Sequence, residues 1–507
     1  MGLSSENNKR IAQNTIMLYI RMLVVMGVTF YTSRIILQVL GVEDFGIYNI
    51  VGGIVILFSF LNATMTSASQ RYLSVAIGLG NNEHTKKVFT SCLVLHLFLA
   101  LAVLFLSETV GVWLLLDILD IPSQRQTAAL WVYQFAVLTT FLNVIKIPYN
   151  ALIIANERMN FYAYTSILES LLKLGIVFIL SSISFDKLIS YSVLLLIINC
   201  IIVVWFWLYC KKNFAECAIT RIQNSKLMRE IASFSGWNLF GSIGDICYKQ
   251  GTNIIMNVFH GVTLNATIGI TNQLHSAVFL FISNLQTAAI PQIIKTYATK
   301  DYARYKMLVC QISKYSFFLM LVLSLPIIIN IDLILQLWLV NPPLYSNIFV
   351  VLIMVFSLID SLQGPLWASM QAMGNIRMYQ IAICICLLLN LPISYIFLYL
   401  KFHPAIIYIV QSTIALFTLI VRIYFSHNFA NVEATVYAKQ TLMPILAVSI
   451  VSIPIIFYVS ILFDGWLKQF ISSFLSLLKN PCSVLFVGIS KNERRLLICL
   501  VKQKINH

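Results

Sequence analysis

Seven ionisable side chains stand inside apolar runs of this sequence: Arg21, Lys146, Glu169, Lys173, Asp245, Lys249 and Asp360. A charge at the centre of a bilayer helix costs about 2.5–3.5 kcal/mol on insertion scales, so each of these groups is either neutralised by a neighbour or used. Glu169 and Lys173 are four residues apart, as are Asp245 and Lys249, and each pair meets on one helix face. Each is either an internal ion pair that eases insertion or part of an ion pathway. Arg21 and Lys146 have no such neighbour in sequence. Arg21 falls roughly 13 Å into the first apolar run and Lys146 about 18 Å from Arg158, both near mid-depth and beyond comfortable snorkelling. Both are expected to face water in a cation-lined cavity, with Lys173 and Lys249 as further lining. Asp245, Asp360 and Glu169 are the candidates for carrying an exchanged proton or Na+. Arg34 lies near the other face, where snorkelling to Glu43 or Asp44 accounts for it.

The elements that hold these groups follow from composition. Of 507 residues 59% are hydrophobic and 10% charged, with mean hydropathy +0.85, and a soluble chain of that length needs far more charge on its surface. Apolar runs near the bilayer-spanning length of about 20 residues recur along the chain, so the fold expected is an all-α integral membrane protein of about fourteen transmembrane helices. They fall near 12–40, 46–68, 88–116, 127–153, 161–182, 188–210, 232–259, 265–293, 308–330, 347–373, 378–400, 404–427, 441–463 and 469–490, the last interrupted by Lys479-Asn480-Pro481. The polar stretch Met1 to Arg10 leads into a run too long for a signal-peptide core, which predicts a retained first helix.

Alternate connections differ sharply in charge. Twenty-three Lys and Arg, from Lys9 and Arg10 to the Lys491–Lys504 tail, fall in one set; the other holds Arg125, Lys187, Lys401 and Lys468 beside Glu43, Asp44, Glu108, Asp117, Asp120, Asp332 and Asp464. Short basic loops stay cytoplasmic, so both termini are expected inside. The same dispersal argues against nucleic acid as the reason for the +15 net charge, because a nucleic-acid binder clusters its cations on a polar surface. The ten cysteines are scattered singly, and Cys384-x-Cys386 lacks zinc-knuckle spacing, so they read as small apolar residues and no metal or other cofactor is expected. No G-x-x-x-x-G-K-[ST] loop, H-E-x-x-H or nucleophile elbow occurs, so neither ATP hydrolysis nor covalent chemistry is encoded and the chain is not expected to be an enzyme.

An offset near 220 residues aligns the first six runs with the next six. Ile11-Ala12 meets Ile231-Ala232, and Leu40-Gly41-Val42 meets His260-Gly261-Val262. Pro148-Tyr149-Asn150-Ala151 before Asn156-Glu157-Arg158-Met159 meets Pro365-Leu366-Trp367-Ala368 before Asn375-Ile376-Arg377-Met378. Six spans per copy put both copies in one orientation, a pseudo-twofold parallel repeat with the pathway between its halves. The expected division is an N-terminal lobe 1–210, a cytoplasmic linker 211–231, a C-terminal lobe 232–427, and an extra helix pair with a tail over 428–507. Pro148 and Pro365, at the same rank in the two copies, mark either a moving element or a static bend.

Asn14-Thr15 with Tyr19-Ile20-Arg21, Thr32-Ser33-Arg34, the run Leu40 to Tyr48 (LGVEDFGIY), the Asn156-Glu157-Arg158 turn and Lys491-Asn492-Glu493-Arg494 resemble the polysaccharide transporters, the Wzx-type lipid-linked oligosaccharide flippases of the multidrug/oligosaccharidyl-lipid/polysaccharide exporter superfamily. The resemblance spans the chain as twelve core helices plus two. It implies a bacterial inner-membrane protein that flips an undecaprenyl-pyrophosphate-linked glycan, for O-antigen (lipopolysaccharide), capsule or exopolysaccharide. The partners it implies are that anionic lipid-linked glycan, membrane lipid, a proton or Na+, and a glycan polymerase with other assembly proteins. A cavity lined by Arg21, Lys146 and one of Lys173 or Lys249 suits a pyrophosphate, the part of such a substrate hardest to move through hydrocarbon. The runner-up is a cation-coupled multidrug and toxin extrusion antiporter of the same fold, which relies on acidic groups in its N-terminal lobe. The first helix here offers arginines and no carboxylate.

Overall fold

The computed structural model describes residues 13–462, apart from 30, 33–34, 37–38, 41–43, 45–46, 49–50, 52–59, 114, 117–122, 182–183, 219, 221–224 and 340–342, and no strand occurs among the described residues. Helix α1 covers 13–29. It is followed by α2 (Phe60–Gly78), α3 (Asn82–Leu106, continued by a π turn to Gly111), α4 (Gln126–Ala155), α5 (Met159–Ser181) and α6 (Lys187–Asn213). Then come α7 (Ser225–Ala298), α8 (Tyr302–Ile329), α9 (Ile331–Leu339), α10 (Ser346–Asp360), α11 (Gln363–Met373), α12 (Arg377–Leu388), α13 (Asn390–Tyr399), α14 (Ile406–Phe429), α15 (Ala434–Tyr437) and α16 (Met443–Leu462). Ten stretches among the described residues, from Asn82–Gly111 to Ala434–Pro454, are long and apolar enough to cross a membrane. The expected span 469–490 and the basic tail lie outside the described residues, as do parts of the first two spans.

The 74 residues of α7 would run roughly 110 Å if straight, against about 30 Å of hydrocarbon. They are not straight. Tyr248 and His275 both pack on Phe356, their ring centroids 6.1 and 5.9 Å from its own, whereas a straight helix would hold them about 40 Å apart. The backbone therefore reverses between them, which divides this run in two, and the second part, Thr267–Ala298, is one of the stretches long and apolar enough to cross a membrane. Other boundaries moved. α2 continues to Gly78, well past the expected end at 68, because the small polar residues after Leu61 still suit a helix; it stops where Gly80 takes φ +70° and Asn81 caps α3 by accepting from the His84 N–H at 3.0 Å. The short helix α9 occupies a stretch expected to be loop.

The chain forms two compact units, Met1–Leu239 and Phe240–His507. In the first, α2, α3, α4, α5 and α6 bury Leu73, Val88, Leu152, Val177 and Ile202 completely. In the second, α7, α8, α10, α12 and α14 do the same around Met256, Met320, Phe349 and Ile407. The repeat is visible in the turns. Gly80 before the cap Asn81 has its counterpart in Lys300 (φ +61°) before the cap Asp301, whose side chain accepts from the Arg304 N–H. Glu157 (φ +60°) closing α4 has its counterpart in Gly374 (φ +92°) closing α11.

The two repeats treat their prolines differently. Pro148 lies inside a continuous α4. In the second copy the expected span 347–373 is broken at Ser361-Leu362, between α10 and α11. Pro365 has no N–H for the Ser361 carbonyl four residues back. Gln286 on α7 supplies the missing donor, its Nε2 donating to that carbonyl at 2.9 Å and to Ser316 Oγ at 3.2 Å. Gly364 leaves the room for this: a Cβ there would run into Gln286 Oε1. The expected span 378–400 is likewise stepped at Leu389, three residues before Pro392.

Candidate functional site

In the N-terminal unit Arg21 and Lys146 each lie on an aromatic ring, carried by α5 for the first and α6 for the second. The Arg21 guanidinium lies over the Tyr162 ring, 4.8 Å from its centroid, and the Lys146 ammonium over Phe206 at 5.6 Å. Phe161, next to Tyr162 in sequence on α5, packs edge-on to Phe206 at 5.4 Å and stacks on Tyr209 at 3.6 Å. Such faces hold a cation by their quadrupole without cancelling its charge. Arg21 Nε is buried and has no hydrogen-bond partner among the described residues. Both cations are half-buried. Glu169 accepts from Lys173 at 2.7 Å, the pair expected from their spacing, and this carboxylate also lies within Coulombic reach of Lys146.

Phe206 is seven residues from the end of α6, so the Lys146 charge lies about 10 Å from that helix end. Tyr162 is likewise in the first turn of α5. Lys146 is also not without a carboxylate, since folding brings α5 beside it. The Asn156-Glu157-Arg158 turn is tied to α1 at this end, where Asn14 Nδ2 donates to the Glu157 carbonyl at 3.3 Å, joining two of the segments on which the family resemblance rests.

In the C-terminal unit Asp245 on α7 and Asp360 at the end of α10 both lie within Coulombic reach of Tyr248, whose hydroxyl donates to the Gln411 carbonyl at 2.6 Å. Asp360 is the last residue before the α10–α11 break. The side chain of Lys249 lies outside the described residues, and with it the expected pairing with Asp245 and the expected place in the cation lining. Sequence reasoning missed a half-buried cation here. Arg422, expected at the end of a span beside a basic loop, stands inside α14 and donates from Nε to Gln363 Oε1 at 2.8 Å and from Nη1 to the Tyr379 hydroxyl. Lys314 on α8 is a further buried cation in an apolar span.

The opposite end of the N-terminal unit holds an ion cluster that spacing does not reveal. Arg125, just before α4, donates to both carboxylate oxygens of Asp44 and to Asp186 Oδ2. Asp186 also caps α6 through the N–H groups of Leu188 and Ile189, at 3.0 and 3.1 Å. Burial would raise the Asp186 pKa, but the Ile189 N–H, then Arg125, outweigh it and hold the carboxyl below its ordinary value. Arg34, expected to reach Glu43 or Asp44, lies outside the described residues, as does Glu43; Asp44 is held by Arg125.

No protein-family model and no curated protein matches the sequence. Solved structures do match in shape. One, described as the outward-facing conformation of a multidrug resistance MATE family transporter of the MOP superfamily, superposes with a TM-score of 0.72 over 86% of this chain and 97% of its own, at 14% identity. The chain has the MATE fold. A MATE protein in a straight conformation matches with TM-score 0.70 over 85% of this chain and 97% of its own, at 14% identity. A MOP superfamily transporter from Pyrococcus furiosus matches with TM-score 0.68 over 84% of this chain and 96% of its own, at 15% identity; its description gives a binding pocket of reversed polarity, suggesting a different function. At such identities the MATE fold is what is shared.

Proposed function

We propose that this chain carries a bulky, anionic, lipid-linked substrate from the inner to the outer leaflet of a bacterial inner membrane by alternating access, the substrate being an undecaprenyl-pyrophosphate-linked oligosaccharide. The observation that carries this reading is the pair Arg21 and Lys146, two half-buried cations that lie on aromatic faces and form no ion pair among the described residues, one with a buried N–H that has no partner there. Cations at such depth persist beside water, an acidic partner or an anionic ligand. Phosphate oxygens suit both, Arg by a two-pronged contact and Lys as a point charge. The Pyrococcus neighbour supports it by analogy, as a protein of this fold whose pocket polarity is described as reversed. Coupling to a proton or Na+ falls to Asp245 and Asp360, with partners among the enzymes that build and polymerise the glycan.

Replacing Arg21 or Lys146 by Gln removes one charged hydrogen-bond donor, worth about 1.5–3 kcal/mol, so transport should fall roughly ten- to a hundredfold while the protein still inserts. Surface glycan in a deletion strain complemented at low expression is the readout, and a Gln variant with undiminished glycan would contradict the reading. The second reading, a cation-coupled extrusion antiporter, is favoured by the carboxylates around Tyr248 and by Glu169 beside Lys146. It requires organic cations to be transported and Glu169→Gln to abolish that transport with Arg21→Gln harmless.

A further inference from the structure

The two repeats place one cation at the same spot from opposite helices. In the first, Lys146 stands two residues before Pro148 on α4 and touches Phe206, seven residues before the end of α6. In the second, Gln363 stands two residues before Pro365 on α11 and touches Arg422, seven residues before the end of α14. The contact recurs in both repeats while the charge has crossed it: cation on the proline helix in one, on the last helix in the other.

Arg422 has no carboxylate partner among the described residues. Its companions there are neutral: Gln363 Oε1, the Tyr379 hydroxyl and the Tyr379 ring, 5.5 Å from the guanidinium carbon. Gln363 is itself held, donating from Nε2 to the Ala415 carbonyl at 3.3 Å, so the arginine is braced rather than loose. A guanidinium carries five N–H donors, and these contacts engage two of them. The group is half-buried, so part of it remains open to solvent or ligand.

We propose that Arg422 is an anion-contacting residue of the C-terminal unit, the counterpart in its repeat of Lys146 in the first. This rests on the anionic-substrate reading above and deepens it. A cation donated to neutral partners inside a membrane helix retains its full charge, and an oxyanion is the ligand that uses both that charge and the free N–H edge.

The test uses the full chain in vesicles of phosphatidylethanolamine and phosphatidylglycerol, with a fluorescent polyprenyl pyrophosphate as probe. Arg422→Gln should raise the KM for flipping about tenfold, and Arg422→Lys should recover most of that loss because charge is kept. The double variant Gln363→Lys with Arg422→Phe rebuilds the first repeat's arrangement and should flip better than Arg422→Phe alone. An unchanged KM in Arg422→Gln while Lys146→Gln loses activity would overturn this inference and leave the anionic reading standing; both unchanged would remove the two together. Equal losses in Arg422→Lys and Arg422→Gln would also overturn it, because they mark a residue that only braces Gln363. A defect that disappears when phosphatidylglycerol is omitted would mean the group holds a lipid phosphate rather than substrate, and would overturn it as well; soluble inorganic pyrophosphate should compete in wild type and about tenfold less in Arg422→Gln.

Discussion

Arg125 shares one guanidinium between Asp44 and Asp186, and Asp186 in turn caps α6, so three segments distant in sequence meet on a single cation. Removing it with Arg125→Ala leaves the well-covered Asp44 carboxylate without its donors, at a cost of about 2 kcal/mol. The apparent melting temperature in detergent should fall accordingly. The Asp186 carboxyl titrates below its ordinary value when folded, so its contribution is complete above about pH 4 and is lost as pH falls through the lowered value. Wild type should therefore lose its advantage over Arg125→Ala on acidification from about pH 6 to about pH 3, and a gap that widens on acidification would contradict the assignment. Neither partner was legible beforehand, because pairing across tens of residues leaves no periodic signal. Glu169 and Lys173 were legible, being one helical turn apart. Arg21 and Lys146 were legible as costly charges in apolar runs, but the rings that receive them lie on other helices.

At the scale of elements, the break between α10 and α11 shows how a membrane helix tolerates a proline. The freed Ser361 carbonyl has a donor only because Gln286 reaches it, and Gln286 reaches it only because residue 364 has no Cβ. Gly364→Ala should displace Gln286 and leave that carbonyl unsatisfied, for a loss of about 1–3 kcal/mol in addition to the strain. In a Gln286→Ala background the same substitution should cost markedly less, since the clash and the bond are already gone. Equal costs in both backgrounds, read from thermal unfolding in detergent, would mean the glutamine does not hold the break. Apolar length placed most spans in the sequence, and Pro365 flagged this one. What hydropathy does not encode is whether a carbonyl freed by proline finds a donor, so a continuous α4 and a broken α10–α11 look alike beforehand. The reversal inside α7 was legible from the change of apolar run near His260, although the helical backbone continues through it.

At the scale of the whole molecule, the fold was readable because lipid leaves helices as the only economical spanning structure here, and duplication writes the same turns and prolines twice. The substrate is not written that way, since one fold carries different cargo according to the charges placed inside it. Anion transport requires those charges to act as cations in both repeats, Arg21 and Lys146 in one and Arg422 in the other. The direct measurement is transport by the purified chain in sealed vesicles, with a fluorescent polyprenyl pyrophosphate and a fluorescent organic cation offered separately. An anion flippase should move the pyrophosphate lipid between leaflets, about tenfold or more slowly in Lys146→Gln, and should not accumulate the cation. Accumulation of the cation driven by a proton or Na+ gradient, with the pyrophosphate lipid left on its original leaflet, would contradict it.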